Sequence, residues 1–179
     1  MKLHIGCGDI YLSGFCNVDI VGKIVTHKKL GTNLDHYYDG RVVGCPDEIF
    51  VDKIMDLKKP WDFDDNSIDE IVLIQVIEHF NPRDASFILS QIKRVLKSGG
   101  KLLIDFPDIV KTVQLYSVED PDFMFRHIYC SQRNDHLIHY WGYTEKTFFS
   151  FLGEGWADIT FKDIVKHNYP AIGCEAIKK

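Results

Sequence analysis

The chain has 179 residues, a formal net charge of −5, 45% hydrophobic residues and 26% charged ones. That length falls in the single-domain range and is enough for a real core, and the composition excludes a disordered or collagen-like chain. No apolar run approaches the ~20 residues of a spanning helix, and no stretch gathers Lys and Arg on one face, so neither a membrane nor a nucleic-acid partner is expected.

The opening Met1-Lys2-Leu3-His4-Ile5 reads straight into a strand, leaving no room for a signal peptide, and a cytoplasmic location is expected. Lys2–Ile5 and Asn17–Ile20 are the first two strands. Residues 21–48 are irregular, as are about 117–143, and stretches of that length usually serve as functional loops or lids. Ile49–Met55, "IFVDKIM", is a further strand, and Asp69–Gln75, "DEIVLIQ", suits a strand buried on both faces. After Pro82, the residues Ala85, Ile88, Leu89, Ile92, Val95 and Leu96 recur at helical spacing, with Gly99-Gly100 as the stop. Lys101–Phe106 is a strand ended by Pro107, and Asp108 heads the helical "IVKTVQLY". Thr144 caps a short helix that ends before Gly153. The tail, "WADITFKDIVKHNYPAIGCEAIKK", reads as two strands joined near His167–Pro170, a closing antiparallel hairpin. This alternation predicts an α/β fold over residues 1–179, a mostly parallel sheet covered by helices. The five cysteines (Cys7, Cys16, Cys45, Cys130, Cys174) include no C-x-x-C pair and read as free thiols.

Gly6-Cys7-Gly8 follows the first strand, and Asp19 ends the second. A strand that ends in Gly-x-Gly can turn tightly and bring its backbone close to a ligand. An acid at the end of the next strand can accept both hydroxyls of a ribose. A dinucleotide site needs more: a third glycine opening a helix whose N-terminus holds the pyrophosphate, and an acid about 20 residues on. Here the third glycine position is Tyr11, and Asp19 comes only 11 residues after Gly8. A ligand with an adenosine but no phosphates does not miss that helix, whereas a nicotinamide dinucleotide does.

The stretches "LHIGCGDIYLSGFCNVDI", "IMDLKKPWDFDDNSIDEIVLIQVIEHF", "SQIKRVLKSGGKLLIDFPD" and "HYWGYTEKTFFSFLGEGW", in that order, resemble the class I S-adenosylmethionine-dependent methyltransferases. They are most similar to a compact branch with a shortened first crossover. The resemblance implies a doubly wound, Rossmann-like sheet of seven strands and S-adenosylmethionine as cofactor, leaving S-adenosylhomocysteine. It implies that Gly6, Cys7 and Gly8 line the methionine end, that Asp19 holds the ribose hydroxyls and that Ile20 packs on adenine. Asp56 would accept from the adenine amino group beside the Leu57 backbone. Gln75 would sit near the sulfonium, with Val76 to His79 continuing that wall. The 37 positions from Asp19 to Asp56 exceed what the compact pattern needs, so residues 27–48 read as an inserted loop or lid.

Methyl transfer asks mainly for alignment, and a base is required only where the acceptor must lose a proton. His79, Asp108 and His139 are the candidates, with His136 and Tyr140 in the same late stretch. Each has a plain structural alternative. His79 can orient a helix, Asp108 can cap one, and Glu78 reads as a solvated charge. Tyr140, Trp141, Tyr143, Phe148, Phe149 and Phe151 read first as core. His136-x-x-His139 has the spacing of two metal ligands, but no third Cys, His or acid stands at matching spacing, so no metal site is expected. The expected activity is methyl transfer to an oxygen or nitrogen of a small molecule. The His139-Tyr140-Trp141-Gly142-Tyr143-Thr144 segment resembles enzymes of surface-glycan and secondary-metabolite pathways, which favours a sugar precursor or modified metabolite. A cofactor-binding scaffold without catalysis, or a subunit that supports a partner, is the alternative.

Overall fold

The computed structural model describes residues 1–25, 34, 37–38 and 48–179. Nine strands are described: β1 (Lys2–Ile5), β2 (Cys16–Asp19), β3 (Lys23–Val25), β4 (Glu48–Phe50), β5 (Lys53–Ile54), β6 (Ile68–Ile74), β7 (Leu96–Pro107), β8 (Trp156–Phe161) and β9 (Ala171–Lys178). Seven of them form one sheet in the order β5-β2-β1-β6-β7-β9-β8, while β3 and β4 pair as a separate antiparallel ribbon. The large sheet is parallel from β5 to β7, and β9 runs antiparallel between β7 and β8. The seven-stranded Rossmann-like sheet with its closing antiparallel pair is therefore the architecture expected from the sequence. The chain leaves β1 toward one edge and returns to β6 on its other side, so the strand order reverses there. Open α/β sheets bind ligands outside the carboxyl ends of their strands at such a reversal.

Helix α1 (Pro82–Val95) starts on Asn81, whose side chain accepts the N–H groups of Arg83 and Asp84. Its stripe Ala85, Ile88, Leu89, Ile92 and Val95 is buried against one face of the sheet, with Leu3, Ile5, Ile71, Leu73, Leu102 and Ile104. Full burial of an aliphatic side chain contributes roughly 1.5–3 kcal/mol, so this stripe decides where the helix lies. Helix α4 (Glu145–Leu152) is capped by Thr144 as expected, and brings Phe148 and Leu152 to the same face. Helices α2 (Ile109–Tyr116) and α3 (Pro121–Tyr129) pack on each other. The opposite face, bearing Val72, Ile74 and Leu103, is covered by the non-helical residues Ile10, Leu12, Phe15, Tyr37, Ile164 and Val165.

The helix-free first crossover closes on Asn17, which is wholly buried. Its Oδ1 accepts from Leu12 N (2.8 Å) and from His4 Nδ1 (2.9 Å). Its Nδ2 donates to the carbonyls of Leu12 and Phe15 and to Asp52. Since His4 Nδ1 must carry its proton to donate, Nε2 accepts from the Tyr37 hydroxyl at 2.8 Å. His4 is therefore a neutral ring, and burial lowers its pKa from 6.5 to about 4.

Several expectations shift. Helix α1 ends at Val95, and Leu96 and Gly99-Gly100, expected as its last face residue and its stop, lie in β7. The second strand covers Cys16–Asp19 rather than Asn17–Ile20. Ile49–Met55 is not one strand: Glu48–Phe50 pairs with Lys23–Val25, while Lys53–Ile54 joins the large sheet beside β2. The break falls at Asp52, whose carboxylate turns in to accept Asn17 N (2.7 Å) and the Tyr11 hydroxyl (2.8 Å). Within residues 117–143, read as irregular, Pro121–Tyr129 is helical, started by Asp120 accepting Phe123 N. The proposed insertion at 27–48 lies outside the described residues except at 34, 37, 38 and 48. Among the described residues, no helix is long and apolar enough to cross a membrane.

A histidine held neutral by the fold keeps its full contribution above the unfolded pKa of 6.5 and loses it as pH falls toward about 4. In urea titrations across that window, wild type should lose about 3 kcal/mol more than His4→Gln. A difference that stays constant with pH contradicts the assignment.

Candidate active site

β1 ends in a turn whose first two N–H groups, of Gly6 and Cys7, both donate to Val18 O on β2 (2.8 and 3.2 Å). Gly6 and Gly8 take φ of +64° and +56°, a region that favours glycine. A Cβ on Gly6 would stand 2.6 Å from Val76 Cγ2, whereas the Cβ position of Gly8 has nothing within 4 Å. Asp19 Oδ2 accepts Gly8 N at 2.8 Å and Oδ1 accepts Val21 N at 3.1 Å. Each carboxylate oxygen keeps a lone pair. Cys7 is buried, and burial pushes its thiol pKa far up, so it stays neutral.

Asp56 follows β5, and its Oδ1 accepts Lys58 N at 3.0 Å, leaving Leu57 and Met55 to fill the core beneath. Gln75 follows β6 at φ +56°, a strained conformation for a side-chain-bearing residue. Asp105, buried in β7, holds it there. One carboxylate oxygen accepts both Gln75 N (3.1 Å) and Gln75 Nε2 (3.2 Å), and the other accepts His167 Nε2 at 2.5 Å. Sequence reasoning missed Asp105, although an acid inside the otherwise apolar "KLLIDF" was a signal. His167, in the β8–β9 connection, gave none.

All nine residues expected at a cofactor site (Gly6, Cys7, Gly8, Asp19, Ile20, Asp56, Leu57, Gln75 and Val76) line one cavity of about 920 Å³. Ligand pockets run to roughly 300–1,000 Å³, so this one sits at the upper end. His79, His136, His139 and Tyr140 line it as well, and Asp108 does not. The Asp108 carboxylate instead accepts Lys111 N at 2.9 Å, capping α2. Trp141 and Phe149 are exposed rather than core, while Tyr143 and Phe148 are buried.

His79 ends a single 3-10 turn, Ile77–His79. Its Nδ1 donates to Ile138 O at 2.9 Å, and His139 Nδ1 donates to His127 O at 3.0 Å, so both rings leave Nε2 unprotonated. Burial lowers both pKa values, that of His139 to about 4. The rings meet edge to face, with centroids 4.7 Å apart. Glu78, expected as a solvated charge, is 1% exposed, and among the described residues neither carboxyl oxygen has a hydrogen-bond partner. Burial holds its carboxyl well above the ordinary glutamate range. The sequence offers no third ligand at matching spacing for the pair His136 and His139; the fold instead brings His79 and Cys130 to His139 from distant parts of the chain.

The model of the methyltransferase domain family matches residues 3–104. That is more than half of the chain, which belongs to this family: it is a class I S-adenosylmethionine-dependent methyltransferase, and S-adenosylmethionine is its cofactor. Among solved structures it is similar to a S-adenosylmethionine-dependent methyltransferase from Methanosarcina mazei (TM-score 0.57, 17% identity, 99% of this chain and 91% of that one). A second, from Archaeoglobus fulgidus, has TM-score 0.55 and 13% identity over 99% of this chain and 85% of that one. The PH0226 protein of Pyrococcus horikoshii gives 0.57 and 16%, over 99% and 81%. At these identities the likeness carries the fold. Among curated proteins the sequence finds no match.

Gly6→Ala should destabilise the protein by about 2–3 kcal/mol, combining overpacking against Val76 with an unfavourable φ. Val76→Ala removes the crowding γ-carbons, so the double variant should be less destabilised than the sum of the singles, as read in denaturant melts. Strict additivity contradicts the contact.

Proposed function

We propose that the enzyme transfers the methyl group to an oxygen or nitrogen of a small-molecule acceptor, with a sugar precursor or modified metabolite favoured. The observation that carries this reading is one cavity lined by two chemically distinct groups: Gly6, Gly8, Asp19, Asp56 and Gln75, which suit the cofactor, and His79 and His139, which suit an acceptor.

The residues fit the cofactor. Gly8 opens on the cavity with no atom within 4 Å of its Cβ position, so a ligand can reach the backbone. Asp19 is held by Gly8 N and Val21 N in an orientation that leaves an outward lone pair on each oxygen for the ribose hydroxyls. Asp56, fixed by Lys58 N, is the acceptor for the adenine amino group, with Ile20 and Leu57 beside it. Gln75 commits its Nε2 to Asp105 and so offers Oε1 to the methionyl ammonium. When bound, S-adenosylmethionine supplies an electrophilic methyl on a sulfonium leaving group. The protein's part is then alignment, which can be worth roughly 7–11 kcal/mol.

At the acceptor end, His79 and His139 present Nε2 lone pairs that need not shed a proton first. With no ion held there, one of these atoms accepts the acceptor's proton. Were an ion held, both would be its ligands; it would lower the pKa of an acceptor oxygen bound to it, and the proton would leave to solvent. Asp108 is a helix cap in this reading and takes no part.

Calorimetric titration with S-adenosylhomocysteine tests the cofactor end. Asp19→Ala should weaken binding by about 1.5–3 kcal/mol, roughly 10- to 150-fold, the worth of hydrogen bonds to a charged group. Undiminished affinity in the variant contradicts the role given to Asp19. A protein that binds the cofactor product yet methylates no member of a broad acceptor panel would favour the scaffold alternative.

A further inference from the structure

The acceptor end holds a ligand set that the chain's spacing hides. His79, Cys130 and His139 come from the turn after β6, the residue after α3 and the loop before α4. Their nearest ligand atoms all lie within 4.8 Å of one another. We propose that these three side chains bind a divalent transition-metal ion, zinc in the first instance, with its fourth position open to the cavity and to an oxygen of the acceptor.

The donor chemistry selects the ion. Two imidazoles and a thiolate suit zinc, and three protein ligands with an open fourth position characterise its catalytic sites. A tetrahedral ion with bonds of about 2.0–2.3 Å needs these ligand atoms roughly 1 Å closer together, a side-chain adjustment. Both histidines make the second hydrogen bond typical of metal-binding imidazoles. Metal-binding imidazoles donate their second ring N–H to a carbonyl or carboxylate, and here His79 Nδ1 donates to Ile138 O and His139 Nδ1 to His127 O. Each bond turns Nε2, with its lone pair, away from the carbonyl.

The same backbone stitches the three segments together. Tyr140 N and Trp141 N donate to Glu78 O (2.8 and 3.3 Å), tying the His139 loop to the His79 turn. His139 N donates to Tyr129 O, tying that loop to the residue before Cys130.

One further observation points to a cation, and the backbone of Cys130 is unusual. Glu78 is 1% exposed, among the described residues neither carboxyl oxygen has a hydrogen-bond partner, and Oε1 stands 3.9 Å from His139 Nε2. A divalent ion beside this buried group would favour its ionised form and offset the cost of burying that charge. Cys130 itself is held at φ +61°, ψ −170°, a region that is nearly glycine-only and that persists where function demands it.

The ion site stands on this geometry alone; only its role toward the acceptor rests on the proposed function. The test is titration of chelator-stripped protein with Co²⁺, followed by absorption. One Co²⁺ per chain should bind with a thiolate-to-cobalt charge-transfer band, and Zn²⁺ should displace it. Cys130→Ser should abolish the band while Cys16→Ser keeps it, and Glu78→Gln should weaken binding about 10–100-fold. Absence of stoichiometric binding, or a band that survives Cys130→Ser, overturns the proposal. S-adenosylhomocysteine calorimetry on the same samples reports that each variant is folded and separates the two readings. Cobalt binding without nucleoside binding supports the ion site and overturns the cofactor reading; the reverse overturns the ion site alone.

Discussion

Asn17 ties the second half of the segment that joins the first two strands to His4 on β1, across a stretch too short for a helix of ordinary length. Its amide meets Leu12 through both N–H and C=O, takes the His4 ring proton, and reaches Phe15 and Asp52. A buried amide satisfied on every side fixes one arrangement and penalises others, because each bond lost leaves a buried polar group unpaired. With Asn17 anchored, Val18 O is positioned to receive Gly6 N and Cys7 N, and Asp19 emerges one residue later facing Gly8. The β1–β2 half of the cavity thus depends on this one side chain. Asp52 extends the constraint to β5 and therefore to Asp56.

Asp105 does comparable work on the other side of the strand-order reversal. It holds Gln75 in a left-handed conformation from both backbone and side chain, and it receives His167 from the β8–β9 connection. The two buried polar hubs lie on the face covered by non-helical chain, where Val72, Ile74 and Leu103 supply the apolar contacts. Hydrogen bonding there fixes geometry that helix packing fixes on the opposite face.

The sheet, α1 and α4 were legible because each has a local signature: period-two or helical apolar spacing and cap residues. Gly6, Gly8 and Asp19 stand out by their spacing, whereas Cys7, Ile20, Asp56, Leu57, Gln75 and Val76 were expected from the family resemblance; all nine line one cavity. The acceptor end was not legible. His79, Cys130 and His139 are far apart in sequence, and their meeting depends on loop hydrogen bonds to Glu78 O and Tyr129 O that no spacing rule encodes. Glu78 was misread for a related reason: in a one-turn 3-10 element, helical periodicity does not say which side is wet. α3 hid its apolar residues among aromatics that remain half exposed, such as Phe125 and Tyr129.

The central claim is that the helix-free crossover presents Gly6–Gly8 and Asp19 to the cofactor together with Asp56 and Gln75. Amide hydrogen exchange with and without S-adenosylhomocysteine tests it most directly. The account predicts slowed exchange at residues 6–8, 19–21, 56–58 and 75–77. Slowing confined to other segments such as β8 and β9, or no slowing at saturating ligand, would contradict it.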